Sequence, residues 1–165
     1  MQADKARGKE LMKAADVMEP KPTTLKPTDT IECGAKIIME KRYRSIPVVD
    51  EDNCYVGMFG VNCLLKQVMP KAVFLHGLDN IDFIHESFDD LYDRYAEVKD
   101  NPIEYCMNRE IVPVSPDDPL TKTLLHLYET RSAIPVVEPG SCKLLGMISY
   151  WEVGEKILGA GAARG

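Results

Sequence analysis

The chain has 165 residues, 45% of them hydrophobic and 28% charged, the composition of a folded globular protein rather than a disordered one. Twenty Lys and Arg against 26 Asp and Glu leave a net charge of −6, which argues against broad phosphate-backbone contact and so against a nucleic-acid partner. No apolar run approaches the roughly 20 residues of a membrane-spanning helix, and the charged start MQADKARGKELMK lacks the apolar core of a signal peptide, so the expectation is a cytoplasmic protein.

In chain order, residues 1–16 form a leader with some helix, and residues 17–69 form a first unit. That unit opens with an extended Pro-containing piece, Thr23 to Pro27. A helix follows, capped by Thr28 or Asp29, with Ile31, Ala35, Ile38 and Met39 at helical spacing. The β-branched run Ile46 to Val49, a polar turn from Asp50 to Asn53 and a second strand from Tyr55 to Phe59 make a hairpin, and a closing helix starts near Val61. Residues 70–104 are an acidic, partly helical connector. There Ser87 and Asp90 make a capping box, and Phe88, Leu91, Tyr92 and Tyr95 form a stripe expected to face a core or a second copy. Asn101 and Pro102 look like the cap and first position of another short turn.

Residues 105–158 restate the first unit. Ile111 to Pro116 is extended, Leu120, Leu124, Leu127 and Tyr128 share a helix face, and Ile134 to Val137, a turn from Glu138 to Ser141 and Leu144 to Ser149 make the hairpin. A closing helix starts near Tyr150. Residues 159–165, GAGAARG, read as a flexible tail; a dinucleotide-binding loop would need a strand before it and a helix after it. Met18 and Met107, Pro27 and Pro116, and Asp29 and Asp118 are each 89 residues apart, while the prolines of SIPVVD and AIPVVE are 88 apart. Each copy is β-α-β-β-α in about 50 residues, too few to bury a comfortable core alone, so two copies must pack together.

Cys33, Cys54, Cys63, Cys106 and Cys142 are scattered, without a CxxC pair or a His at ligand spacing. They read as reduced thiols, mostly packing, and no metal site is expected. His76, His85 and His126 are isolated and no Ser-His or Cys-His arrangement is legible, so the chain does not read as an enzyme; His126, between Leu125 and Leu127, reads as flanking a core.

The doubled order of VM-x-P, the Pro-Asp helix start, IPVV and an apolar-Gly-apolar strand resembles a tandem pair of CBS domains, the Bateman module. The resemblance implies an α/β fold with mixed sheets, two β-α-β-β-α repeats packed as a pseudo-two-fold disc, often paired in a homodimer. It implies a regulatory ligand, AMP, ADP, ATP or S-adenosylmethionine, held between the repeats, and signalling by conformational change to a separate effector protein. It implies no catalytic cofactor.

The family's ribose-phosphate pattern, Gly-x-x-Ser/Thr-x-x-Asp, is matched in the second repeat by Gly146, Ser149 and Glu152, with glutamate in place of aspartate. The favoured site carried over by position comprises Ile111, Val112, Arg131, Ser132, Ala133, Ile134, Pro135, Ser149 and Glu152. A weaker first site comprises Thr23, Thr24, Arg44, Ser45, Ile46, Pro47, Gly60 and Cys63, where Gly60 and Cys63 replace the hydroxyl and the acid. Ile46 and Ile134 suit core packing equally well, and Arg42, Arg44 and Arg131 suit either phosphate contact or solvated helix ends. Two other readings stay open: a ligand-independent dimerisation or interaction module, and a divalent-cation sensor built on Asp79, Asp82, Glu86, Asp89, Asp90 and Asp93.

Overall fold

A computed structural model describes residues 11–77, 82 and 84–164; most of the leader, Asp79 and Gly165 lie outside the described residues. Two antiparallel hairpins form its centre. Strand β1 (Ser45–Val49) pairs with β2 (Tyr55–Gly60), and β3 (Ile134–Val137) with β4 (Leu144–Ile148). The extended piece before each helix joins the β1 or β3 edge in parallel, through Leu25 beside Val48 and Val114 beside Val136, so each sheet is mixed, as expected. β1 and β3 are buried along their whole length, which is why both read as unbroken apolar runs.

Helix α2 (Ile31–Lys41) is capped by Thr30, whose hydroxyl accepts from the Cys33 N–H at 3.1 Å, and not by Thr28 or Asp29. Asp29 closes the preceding turn by accepting from the Lys26 N–H at 2.8 Å. Asp118 does the same for Ser115 ahead of helix α6 (Leu120–Thr130), and its hydrogen bond to Lys122 holds its carboxyl below the usual range. The buried stripe of α2 runs through Ile31, Gly34 and Ile38, while Met39 is 59% exposed. On α6 the fully buried residue is Thr123, and Tyr128 is 79% exposed. Small residues at the centre of each face misled an expectation weighted to large apolar ones. Both helices end on an arginine in the left-handed region, Arg42 at φ 58° and Arg131 at φ 55°. A side chain there costs on the order of 1 kcal/mol, and it turns each chain sharply into its hairpin.

The two repeats exchange segments. Glu19 pairs with Met147 of the second hairpin through backbone bonds of 2.8 and 3.0 Å, and Asn108 pairs with Met58 of the first through two bonds of 2.8 Å. Gly146 and Gly57 permit these crossings: a Cβ at Gly146 would stand 2.6 Å from the Glu19 carbonyl oxygen, and one at Gly57 would stand 3.0 Å from that of Asn108. Helix α1 (Ala14–Val17), which straddles the expected boundary after residue 16, buries Ala14 and Val17 among Val114, Ile134, Val136, Ile148 and Val153. The 3₁₀ turn Ile103–Tyr105, which straddles the boundary at 104, delivers Ile103 and Met107 to Leu25, Ile31, Ile38, Ile46, Val48 and Phe59. Pro102 caps that turn instead of occupying its first position.

At the far end the hairpin tips meet. Val49, Val137 and Leu144 bury one another with Tyr55 packed alongside, and Cys54 and Cys142 form a disulfide between the repeats, correcting the expectation of five free thiols. Cys33, Cys63 and Cys106 remain free. The two cysteines stand at the same 88-residue offset as the prolines of the two hairpins, and the meeting of equivalent tips brings them within bonding distance.

The connector continues from α3 (Val61–Val68) through a short unforeseen helix, α4 (Lys71–His76), to α5 (Phe88–Val98). The Ser87–Asp90 capping box is present and keeps the Asp90 carboxyl below its ordinary range. Arg94 pins α5 to the end of α3 by donating to the Val68 carbonyl, and it pairs with Glu86. Only half of the aromatic stripe turns inward: Leu91 and Tyr95 are half-buried, Phe88 and Tyr92 exposed. Helix α7 (Tyr150–Arg164) runs through the supposed flexible tail. Once Ser149 and Glu152 have nucleated it, each further residue adds a bond without a new nucleation cost, and the alanines offset the glycines.

Candidate functional site

Two clefts flank the seam between the repeats, one of about 850 Å3 and one of about 410 Å3. Arg44, Ser45, Arg131 and Ser132 border both. Ser45 and Ser132 are hydrogen-bonded across the seam, Oγ to Oγ, at 3.1 Å, and with Arg44 and Arg131 they form the shared border of the two clefts. The left-handed caps at Arg42 and Arg131 create this arrangement, because they swing each chain from helix to strand at the same level of the disc.

The larger cleft draws on both repeats. Its floor is apolar, from Leu124, Leu127, Ala133, Met147 and Val153, and its rim is aromatic, from Tyr43, Tyr128, Tyr150 and Trp151. Lys41, Arg42, Arg44 and Arg131 supply four cations against Glu19 and Glu152. Lys41 donates to the Thr23 hydroxyl at 3.1 Å and lies over the Tyr43 ring at 5.9 Å. The smaller cleft is more polar and contains Gly60, Cys63, Ile111, Val112 and His126. His126 Nε2 donates to the Val112 carbonyl at 2.7 Å, and Tyr55, its phenol pushed up to about 12 by burial, donates to the Ile111 carbonyl at 3.1 Å. Beneath it, burial pushes the Cys106 thiol up to about 11, with Cys63 adding to the effect.

The grouping of site residues differs from the one the sequence suggested. Arg131, Ser132, Ala133, Ser149 and Glu152 of the second repeat do come together, but with Thr23, Arg44 and Ser45 of the first. Ile111 and Val112 lie instead in the smaller cleft with Gly60 and Cys63. The segment exchange accounts for this: Glu19 crosses to the second hairpin and Asn108 to the first, so each lead-in starts beside the other repeat before joining its own sheet. Ile46, Pro47, Ile134 and Pro135 are buried in strands and border neither cleft, and neither does Thr24, which is exposed. Trp151, Tyr128, Tyr43 and Lys41 escaped the sequence reading because no motif marks them. Arg42, read from the sequence beside Arg44 as suited to phosphate contact or a solvated helix end, borders the larger cleft with its repeat partner Arg131.

Glutamate at 152 has a local explanation. Glu152 reaches back to accept from the Ser149 N–H at 2.7 Å and from the Ser149 hydroxyl, while the same hydroxyl accepts from the Trp151 N–H at 3.2 Å. That is a capping box, for which the longer acid at the third helical position is the preferred fit. Gly60 is likewise explained by space: a Cβ there would stand 2.6 Å from the Arg44 carbonyl oxygen, which accepts from the Val61 N–H at 2.9 Å to start α3. Its φ of −153° is ordinary extended backbone, so crowding and not dihedral strain excludes a side chain. Of the acidic set in the connector, Asp90 is used in a helix cap and Glu86 in an ion pair, and among the described residues no three His, Cys, Asp or Glu gather as a metal site.

Comparison with known proteins matches the CBS-domain family model at residues 14–69 and 98–159. A homoserine O-acetyltransferase of Methanococcoides burtonii is 26% identical over 144 residues, 87% of this chain; the chain spans about a quarter, 24%, of that relative's length. The crystal structure of a putative acetoin utilization protein, AcuB, from Vibrio cholerae superposes with a TM-score of 0.71 at 17% identity, covering 94% of this chain and 96% of the other. CBSX2, solved with AMP, superposes at 0.65 with 20% identity over 90% and 98% of the two chains; the protein is from Arabidopsis thaliana. The CBS-domain pair of MJ0100, solved with 5′-methylthioadenosine and S-adenosylmethionine, superposes at 0.63 with 16% identity over 92% and 99%. Among the described residues no helix is long and apolar enough to cross a membrane.

Proposed function

The chain belongs to the CBS-domain family, and from that premise we propose that it is a regulatory module that binds one adenosine-containing ligand in the larger cleft and signals to a separate protein. The observation that carries this reading is the composition of that cleft: an apolar floor sized for a base, an aromatic rim for stacking, and four cations within one volume of about 850 Å3. Arg44 and Arg131 are the phosphate-contacting residues, and Arg42 and Lys41 add field strength, while Ser149 and the start of α7 are occupied by the Glu152 cap. The solved complexes of CBSX2 with AMP and of MJ0100 with S-adenosylmethionine support this ligand class. The cation-rich lining favours a phosphorylated adenosine over S-adenosylmethionine, which is itself positively charged.

Signalling follows from geometry. A ligand bridging Arg44 of one repeat and Arg131 of the other acts across the Ser45–Ser132 contact, and it shifts the packing of the repeats by its differential affinity for the two arrangements. The reading extends to a homodimer meeting through the closing helices, where Leu65 on α3 and Ile157 and Leu158 on α7 are exposed.

Thermal unfolding with AMP, ADP, ATP and S-adenosylmethionine, on protein freed of carried-over nucleotide, tests the proposal. A ligand at 100 times its dissociation constant is expected to stabilise by about 2.7 kcal/mol, raising the midpoint by about 5–11 °C. A phosphorylated adenosine should give the largest shift. No shift with any of the four would leave a module that works by protein contact alone.

A further inference from the structure

We infer that Cys54 and Cys142 form a reversible thiol–disulfide switch that fastens and releases the hairpin tips of the two repeats, exchanging with small disulfides and thiols of the glutathione class. The inference stands apart from the nucleotide reading and does not need it. The two cysteines come from different repeats, 88 residues apart, with Cα atoms 4.7 Å apart, inside the range that a disulfide spans without backbone movement.

Access and preorganisation together make the pair exchangeable. Cys142 is exposed in the second hairpin turn and Cys54 is half-buried at the start of the first hairpin's return strand, so a small reagent reaches one sulfur first. The tips are also joined without sulfur: the Tyr55 N–H donates to the Cys142 carbonyl at 2.8 Å, the Leu144 N–H to the Asn53 carbonyl at 3.0 Å, and the Asn53 side-chain amide to the Leu144 carbonyl at 3.1 Å. Buried contact among Val49, Val137 and Leu144 backs these bonds. Reduced thiols are therefore held close enough to close again. The three remaining cysteines are set apart from the pair, Cys33 on α2 and Cys63 and Cys106 in the first repeat's core.

Closure runs through two exchanges. The Cys142 thiolate attacks one sulfur of glutathione disulfide, bonding to that half and expelling the other as a thiolate. The Cys54 thiol then gives its proton to solvent and attacks the Cys142 sulfur, forming the protein disulfide and expelling the second glutathione thiolate. Two electrons pass from the cysteine pair to glutathione, and excess reduced glutathione runs the sequence backward.

The experiment incubates the purified chain in oxidised or reduced glutathione, counts alkylatable thiols by intact mass, maps the linkage on peptides and measures thermal unfolding. Oxidation is expected to leave three of the five cysteines alkylatable and to join the peptides carrying positions 54 and 142. Closing a loop of this length should raise the midpoint by roughly 9–18 °C on the chain-entropy scale, and reduction should reverse the rise. Cys142→Ser and Cys54→Ser should each abolish the redox-dependent shift while matching the reduced wild-type midpoint. The inference is overturned by five alkylatable thiols in excess oxidised glutathione, by linkage through a different cysteine, by a bond that reduced glutathione does not open in the folded chain, or by an undiminished shift in Cys142→Ser. Protein that binds no nucleotide yet shows the reversible bond would defeat the ligand proposal and leave this one standing.

Discussion

Gly34→Thr is expected to lower the unfolding free energy by about 2–3 kcal/mol, and Phe59→Ile added to it to return much of the loss. A Cβ at Gly34 would stand 2.5 Å from Phe59 Cε1 and 3.2 Å from Ile103 Cδ1, with Phe59 fully buried and unable to swing aside. At the equivalent places 89 residues on, the second repeat holds Thr123 and Ile148, both fully buried. One repeat thus fills the space with a large strand residue against glycine, the other with a medium one against threonine. The new hydroxyl has an acceptor in prospect: Thr123 donates to the Pro119 carbonyl at 3.1 Å, and the corresponding Thr30 carbonyl already accepts from the Gly34 N–H. Phe59→Ile alone should cost about 1–3 kcal/mol through the cavity it leaves. Denaturant unfolding of the four proteins gives the coupling; a double variant as unstable as the sum of the singles would show that the two positions do not compensate each other.

The second large effect concerns affinity. Arg42→Gly and Arg131→Gly together are expected to weaken phosphorylated-adenosine binding at least about 10-fold, since the Arg131 guanidinium lost from a charge-assisted bond is worth roughly 1.5–3 kcal/mol and Arg42 adds its field to that loss. Glycine is the informative replacement, because both arginines sit at positive φ where glycine is unstrained. Stability should stay within about 1 kcal/mol of the parent, so lost binding cannot be put down to unfolding. Titration calorimetry beside thermal unfolding separates the two effects, and unchanged affinity would remove both cations from the proposed phosphate site.

The repeat, the hairpins and the starts of both closing helices were legible because their signals are local: IPVV as a buried run, a polar turn, and Ser149 followed by Glu152. The Thr30 cap was missed because several cap-competent residues stand side by side from Thr28 to Thr30, and only geometry decides which carbonyls and N–H groups meet. The site was half legible for a different reason. Position within a repeat identifies which residues approach a cleft, but the exchange of segments decides which cleft, so Ile111 and Val112 parted from Ser149. The Cys54–Cys142 bond was harder to read: the two cysteines stand at the 88-residue offset that relates the hairpins, but equivalence within a repeat says nothing of contact until the hairpin tips are seen to meet.

The exchange of segments also sets an order of events during synthesis. When the first hairpin has left the ribosome, its core still lacks Ile103 and Met107, and the chain must grow by some 40 residues before they arrive. Meanwhile Ala14 and Val17 are already made, waiting for strands β3 and β4 and for Val153 of α7, which come more than a hundred residues later. At roughly 5–20 residues per second the nascent chain spends several seconds with apolar surface uncovered at both ends. Each hairpin's core is completed by residues from a distant part of the chain, so the pair is expected to fold as one unit near the completion of the second hairpin. A fragment cut at the connector would carry an unfinished core in each half.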